Sequence, residues 1–312
     1  MTKINSVLGP LDTADMGCTL THEHILTAFA GATTDFPEAM VGNLLEHIVS
    51  VLKKAKEGGV DTIVDMTTVD LGRDINLFAE ASRRSGVNII ACAGWWLDIP
   101  RFFEGITSDQ LADIFVREIT KGIAGTNIKA GVLKAASDIS GPTKPEEIVL
   151  RAVARAHQKT GVPIVIHSYA PDQVARQQLP ILQSEGVKLK YVKVDHSNDT
   201  NNMAYLHWLL EQGVYLGLDR YPGRLMNPME RTRVLKQLID EGYAGRLCLS
   251  HDCSAGYTIP GLITVEQKEA TNPYRFLYIS KVVFPWLKEM GVPQKVIDQL
   301  CIDGPRNFFE GK

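Results

Sequence analysis

Short apolar runs alternate along this chain with stretches of helical periodicity. Eight runs read as strands, at 18–21, 62–66, 88–93, 131–135, 163–167, 191–195, 214–218 and 247–250. Most are continuously apolar rather than alternating, which is the pattern of strands buried on both faces of a parallel sheet. Their starts are spaced by roughly 33 residues on average, close to one strand–helix unit. Between the first two runs, Leu44, Leu45, Ile48, Val49, Leu52 and Ala55 recur at helical spacing until Gly58-Gly59 stops them. Thr143-Lys-Pro-Glu146 has the form of a capping box ahead of Ile148, Leu150, Val153 and Ala154. A Gly-Val pair precedes five of the strand runs, at Gly59, Gly86, Gly161, Gly186 and Gly213, and reads as one repeated connection. Eight such units predict a (β/α)8 TIM barrel that fills residues 1–312 as one domain. A doubly wound sheet would want GxGxxG after an early strand, and the sequence has none there. The stretch 253–272, rich in Gly, Pro, Thr and Ser, reads as an extended loop over the barrel mouth. Segments 274–290 and 293–300 read as closing helices.

Composition narrows the class. The chain has 312 residues, 45% hydrophobic and 22% charged, which is globular rather than disordered or fibrous. The net charge of −3 disfavours nucleic acid and anionic lipid as partners of the whole surface. Cys18, Cys92, Cys248, Cys253 and Cys301 are scattered and odd in number, with no CxxC pair. That suits a reducing compartment rather than a disulfide framework. Residues 1–5 lack the apolar core of a signal peptide, and no apolar run approaches the roughly 18 residues of a membrane span. The expectation is a cytoplasmic protein.

In a barrel, side chains at the C-terminal ends of the strands face the mouth. The first strand run leads into Thr21-His22-Glu23-His24, the fourth reaches Lys134, and the fifth ends at His167. The sixth ends at Asp195-His196 and the eighth leads to His251-Asp252. Taken singly, each has a plainer reading: a hydrogen-bonded buried histidine, a capping aspartate, a solvated lysine. Taken together they place nitrogen and oxygen donors at five of eight strand ends. A set of imidazoles and a carboxylate without thiolate suits Zn²⁺, Mn²⁺, Co²⁺ or Fe²⁺. An ammonium beside a divalent cation is unfavourable, so Lys134 belongs in such a set only if its nitrogen has become part of an anion. His47, His157 and His207 fall in predicted helices and read as packing or surface residues. Cys18 reads as core. Asp219 ends the seventh run and either orders the site or makes a structural hydrogen bond.

The sequence resembles the phosphotriesterase family of the amidohydrolase superfamily. The matching residues are Thr21-His22-Glu23-His24, Lys134 within Ala130-Gly-Val-Leu-Lys134-Ala-Ala, Ile166-His167, Asp195-His196, Gly217-Leu-Asp219-Arg220-Tyr221 and Leu249-Ser-His-Asp252. The likeness runs from Gly9-Pro10 to Pro305-Arg306-Asn307-Phe308-Phe309. It implies two divalent metal ions, zinc first and manganese, cobalt or iron as others. It puts one ion on His22, His24 and Asp252 and the other on His167 and His196. Lys134, carboxylated by CO2, and a hydroxide would bridge them. Asp252 would accept the proton released on attack. Asp219-Arg220-Tyr221 resembles the lactonase branch, where Arg follows this Asp, and Trp96 stands where the family places an aromatic wall. The implied activity is hydrolysis of a small-molecule lactone or related ester, with Trp96, Arg220 and Tyr221 lining the substrate site. Tyr257, Ile259, Pro260, Leu262 and Ile263 would add apolar surface from the last loop. Phosphotriesterase side activity and a homodimer are also implied.

Four other readings compete. Phosphotriester hydrolysis as the main activity is one. A TatD-like nuclease would carry Glu at the fourth strand and favour a basic mouth. A binding protein on the same barrel would be expected to have lost a ligand. A mononuclear deaminase would not need Lys134 as a bridge.

Overall fold

A computed structural model describes residues 2–39, 42–97, 99–103, 105–223, 225–257 and 270–312. Two short antiparallel strands open the chain, β1 (Lys3–Ser6) and β2 (Gly9–Asp12). Eight parallel strands follow: β3 (Thr19–Thr27), β4 (Thr62–Asp65), β5 (Asn88–Gly94), β6 (Val132–Ser137), β7 (Ile164–Ser168), β8 (Val192–Asp195), β9 (Tyr215–Leu218) and β10 (Leu247–Leu249). Each of the eight overlaps a strand read from the sequence. Helices Leu44–Glu57, Ile75–Ser85, Ser108–Thr120, Lys144–Thr160, Ala175–Ser184, Met203–Glu211 and Pro228–Asp240 alternate with them. The architecture is that of a (β/α)8 barrel.

The sheet order runs from β10 through β9, β8, β7, β6, β5 and β4 to β3, then to a further strand, β11 (Ser254–Tyr257). β11 lies where the sequence reading placed only loop. It pairs parallel with the far half of β3, Ser254 against His24 and Gly256 against Leu26. Asp252 N–H donates to His22 O at 3.2 Å and His24 N–H to Cys253 O at 2.9 Å, joining the two ends of the sheet. β3 is accordingly longer than expected. His22 and His24 sit inside it, and the register shifts between Leu20 and Glu23.

Two apolar layers hold the barrel. The helices pack faces such as Ile48, Val49, Leu52 and Ala55, or Val149, Leu150 and Val153, against the outward side chains of the strands. Inside the barrel, Val132, Val165, Tyr215 and Cys248 form a plug with Ile4, Met16, Phe308 and Phe309. The β1–β2 hairpin and the last helix, Gly304–Glu310, therefore seal the end opposite the strand C-termini. The Thr143 capping box is present, with Glu146 N–H on Thr143 Oγ1 and Thr143 N–H on Glu146 Oε2 at 2.9 Å. Such a cap contributes about 1 kcal/mol. All five glycines of the repeated Gly-Val pair have positive φ, from 73° to 93°, as the turn out of a helix requires.

The closing helices differ from the reading. Segment 274–290 holds a 3-10 turn (Arg275–Leu277), a π-helical turn (Ile279–Val283) and a helix (Phe284–Glu289). Pro285 lacks the N–H that an uninterrupted α-helix would use there. Ile259, Pro260, Leu262 and Ile263 lie outside the described residues. No helix among the described residues is long and apolar enough to cross a membrane.

Candidate metal centre

The site is assembled from strand ends. β3 supplies His22 and His24, β6 Lys134, and β7 His167. His196 directly follows β8 and Asp252 lies between β10 and β11. His196 and Asp252 both take left-handed backbone, with φ of 62° and 51°. Non-glycine residues seldom adopt that region, and such strain concentrates at functional sites.

These side chains meet. His22 Nε2 lies 3.4 Å from Asp252 Oδ1, and His24 Nε2 lies 3.3 Å from the same oxygen. His196 Nε2 and His167 Nδ1 are 2.8 Å apart. Donor atoms of His22, His196 and Asp252 all fall within 4.8 Å of one another. The ring centroids of His22 and His196 are 5.0 Å apart, so the two groups are neighbours. Lys134 is 1% exposed, and its charge reaches His22, His24 and His167. Its charge also acts on the Asp65 and Asp70 carboxylates.

The electrostatics prepare the donors. Burial pushes His24 down to about 4, against the hydrogen bond that Asp252 accepts from it. Burial and then His196 hold His167 well below the usual imidazole range, and burial and then Arg220 do so for His196. These rings are neutral, the form that binds metal. His22 differs. Burial and Lys134 lower it, but the Asp195 and Asp252 carboxylates together carry it above the usual value. Burial alone would raise Asp252; His22, His24, His196 and Arg220 outweigh it and keep the carboxylate ionised. Neutral imidazoles, one carboxylate and no thiolate form a donor set that fits zinc or another first-row dication.

The residues read as substrate-binding separate into three cases. The Trp96 ring stands edge-on to His167, centroids 6.2 Å apart, while the residue's backbone N–H donates to Asp70 at 3.2 Å. Arg220 donates from Nε to Asp252 Oδ2 at 3.2 Å and from Nη1 to Asp199 Oδ2 at 2.6 Å, with 27% of its side chain exposed. Tyr221 is 1% exposed, buried in the core beside Arg220 rather than on the open surface.

Three further residues support the site: the sequence left Asp219 between ordering it and a structural hydrogen bond, and gave Thr67 and Glu23 no role. Asp219 Oδ1 accepts from the N–H of His196 at 3.0 Å and faces its Nδ1 at 2.8 Å. Thr67 Oγ1 lies 2.9 Å from His24 Nδ1. Glu23 takes the His251 N–H at 2.9 Å and the Cys253 N–H at 3.0 Å, and meets His251 Nδ1 at 2.6 Å. It therefore fixes the backbone on both sides of Asp252. The signal was present: an acid between two inward histidines on a strand must face the opposite side, and a buried acid there needs donors.

Comparison with known proteins agrees with this geometry. The chain matches the phosphotriesterase family over residues 2–309. The chain belongs to the phosphotriesterase family. A phosphotriesterase homology protein of Mycobacterium tuberculosis is 36% identical over 324 residues, covering 99% of this chain and 98% of that one. An aryldialkylphosphatase of Saccharolobus solfataricus is 34% identical over 306 residues, 96% of each chain. An N-acetyltaurine hydrolase of Xenopus tropicalis is 26% identical over 352 residues, 99% of this chain and 98% of that one. Membership places this phosphotriesterase-family chain among the metal-dependent hydrolases.

Proposed function

We propose that this family member is a binuclear metal-dependent hydrolase that cleaves a lactone or related carboxylic ester, with phosphotriesters as slower substrates. The observation that carries the reading is the convergence of His22, His24, His167, His196 and Asp252 at the strand C-termini, with the buried Lys134 close enough to act on His22, His24 and His167. His22, His24 and Asp252 would hold one ion, and His167 and His196 the other. Lys134, buried beside these histidines, suits conversion to a bridging carbamate. Bound dications would supply Lewis acidity and acidify a water at neutral pH.

The protein's own groups account for the rest. Asp252 is ionised and positioned by the Arg220 Nε–H, so it can accept a proton and return it to the leaving group. Asp199 in turn anchors Arg220, and Arg231 donates to Asp199 at 2.6 Å. Trp96 and Arg220 offer an apolar wall and a donor beside the cluster, a pairing that suits an uncharged acyl group. Tyr221 would act from beneath, by holding the turn that carries Arg220. The scattered, odd-numbered cysteines suit a reducing compartment such as the cytoplasm, and the family likeness supports a homodimer.

The aryldialkylphosphatase relative favours a second reading, in which phosphotriesters are the main substrates. One panel decides. The metal-loaded protein is assayed against lactones, carboxylic esters, phosphotriesters and N-acetyl amides. The highest kcat/KM should fall among the lactones or carboxylic esters, and activity should vanish with chelator and return with metal. A phosphotriester or an amide with the highest kcat/KM would overturn the ester reading.

A further inference from the structure

Strand β8 reads Val192-Lys193-Val194-Asp195, and all four residues are buried. Alternation sends Val192 and Val194 into the core between sheet and helices, where they pack. Lys193 and Asp195 therefore point into the barrel. Both are 0% exposed and they form an ion pair. In register, Lys193 lies between Val165 and Tyr215 of the apolar plug. Asp195 Oδ2 stands 2.5 Å from His22 Nδ1, and Asp219 Oδ2 lies 3.5 Å from the same nitrogen. Asp219 Oδ1 meanwhile serves His196. Room for the two carboxylates comes from Gly217 on β9. A Cβ there would run into Asp195 Oδ1 and come within 2.6 Å of Asp219 Oδ2. No residue with a side chain fits without displacing them.

We propose that Lys193 and Asp195 are positioning residues for the metal centre: Lys193 clamps Asp195, and Asp195 fixes the His22 ring so that Nε2 faces the ion. The reasoning is geometric. A carboxylate so close to Nδ1 accepts its hydrogen, which leaves the lone pair on Nε2, the atom turned toward Asp252. Carboxylate partners of this kind orient ligating histidines and are worth roughly 10- to 100-fold in metal affinity. A buried ion pair is a weak source of stability compared with apolar residues of the same volume. The Lys193–Asp195 pair contributes instead a fixed acceptor below His22, held from the plug side. Because Asp219 faces both His22 and His196, the two ligand groups rest on one floor. The inference rests on the metal-centre reading.

The test compares the parent with the double variant Lys193→Met, Asp195→Asn, which removes both buried charges together. Metal-free protein is titrated with cobalt(II) against a competing chelator while the visible absorption is recorded, and thermal unfolding is followed without metal. The expected result is two bound ions in the parent. In the variant, the affinity for one ion should fall roughly tenfold or more and its absorption bands should change, with the metal-free unfolding temperature nearly unchanged. Parent-like affinity and spectrum in the variant would overturn the positioning role while leaving the metal reading intact. A parent that binds no cobalt would overturn both. Should the variant not fold, ¹⁵N-histidine spectra of the metal-free parent decide. A slowly exchanging Nδ1–H on His22 supports the proposal, and a hydrogen on Nε2 overturns it.

Discussion

A lysine nitrogen can bridge two dications only as part of an anion, because an ammonium beside them is repelled. Lys134 is buried close enough for its charge to act on His22, His24 and His167. Lys134→Ala should therefore bind well under one metal ion per chain and lose nearly all turnover. Acetate or propionate should restore part of both, since either can stand in for a bridging anion. Elemental analysis with and without added carboxylate checks this, and a full metal complement in the unrescued variant would contradict it. Asp252→Asn removes the proposed proton acceptor and one of its carboxylate oxygens. It should lower kcat by at least about 10²-fold, the usual worth of a positioned base, with the fold intact by circular dichroism. The four histidines, Lys134 and Asp252 were legible because they interrupt or follow apolar strands. Asp195, Lys193 and Glu23 were less so. Their roles depend on which neighbour each faces across the sheet, and adjacency in sequence does not carry that. Tyr221 shows the converse: it sits next to Arg220 in sequence, yet its ring turns into the core.

Strand placement came within a few residues because glycine turns precede the runs and five of the eight end at a polar candidate ligand. The strand ends are where reading and structure part. Ser254–Tyr257 carries small residues and no apolar alternation, so nothing local marks it. It is a strand because β3 extends beyond His24 and offers unpaired backbone groups. The helices after residue 270 were read as continuous from apolar spacing, and the π-helical turns at Ile279–Val283 and Gln299–Asp303 are invisible to that pattern. Gly94 shows how closely the elements are fitted at the site. It ends β5 at φ 139°, and a Cβ there would overlap the Lys134 carbonyl oxygen and come within 2.8 Å of its carbon. Gly94→Ala must push β5 away from β6. We expect a loss of roughly 2 kcal/mol or more, as for other substitutions at strained positions. Metal content should fall with it because Lys134 moves. Urea unfolding of the metal-free and metal-loaded forms separates the two effects. Unchanged stability and metal content would mean that the strands slide apart freely.

At the scale of the whole molecule, eight strand–helix repeats in order specify a closed barrel, and closure is what brings His22 beside Asp252 from opposite ends of the chain. Stability should report on that convergence. In the metal-free protein, His24, His167 and His196 are all held below their ordinary values by burial before any other influence. The unfolded chain protonates its histidines near pH 6.5, whereas the folded one does not until about pH 4 in the case of His24. Between those values the unfolded state binds more protons, so stability must fall as pH falls. Each such histidine costs about 1.4 kcal/mol per pH unit across its window. His22, raised above its usual value, and the Asp65 and Asp70 carboxyls, raised by burial, work in the opposite sense, but His157, also lowered by burial, makes it three against four. Asp252, held low, adds to the loss further down, as the pH drops through the carboxylate range. The chelated protein should thus melt at a clearly lower temperature at pH 5.5 than at pH 7.5. Metal makes the dependence steeper, since protons compete for the same nitrogens. At a free metal concentration near 100 times Kd, each ion adds about 2.7 kcal/mol. For a chain of this size, two such ions correspond to roughly 10 °C in melting temperature. Scanning calorimetry at both pH values, with metal and with chelator, gives four melting temperatures. The metal-dependent gap should be widest at pH 7.5 and shrink toward pH 5.5. A gap that is constant with pH would show that the buried histidines do not hold the ions.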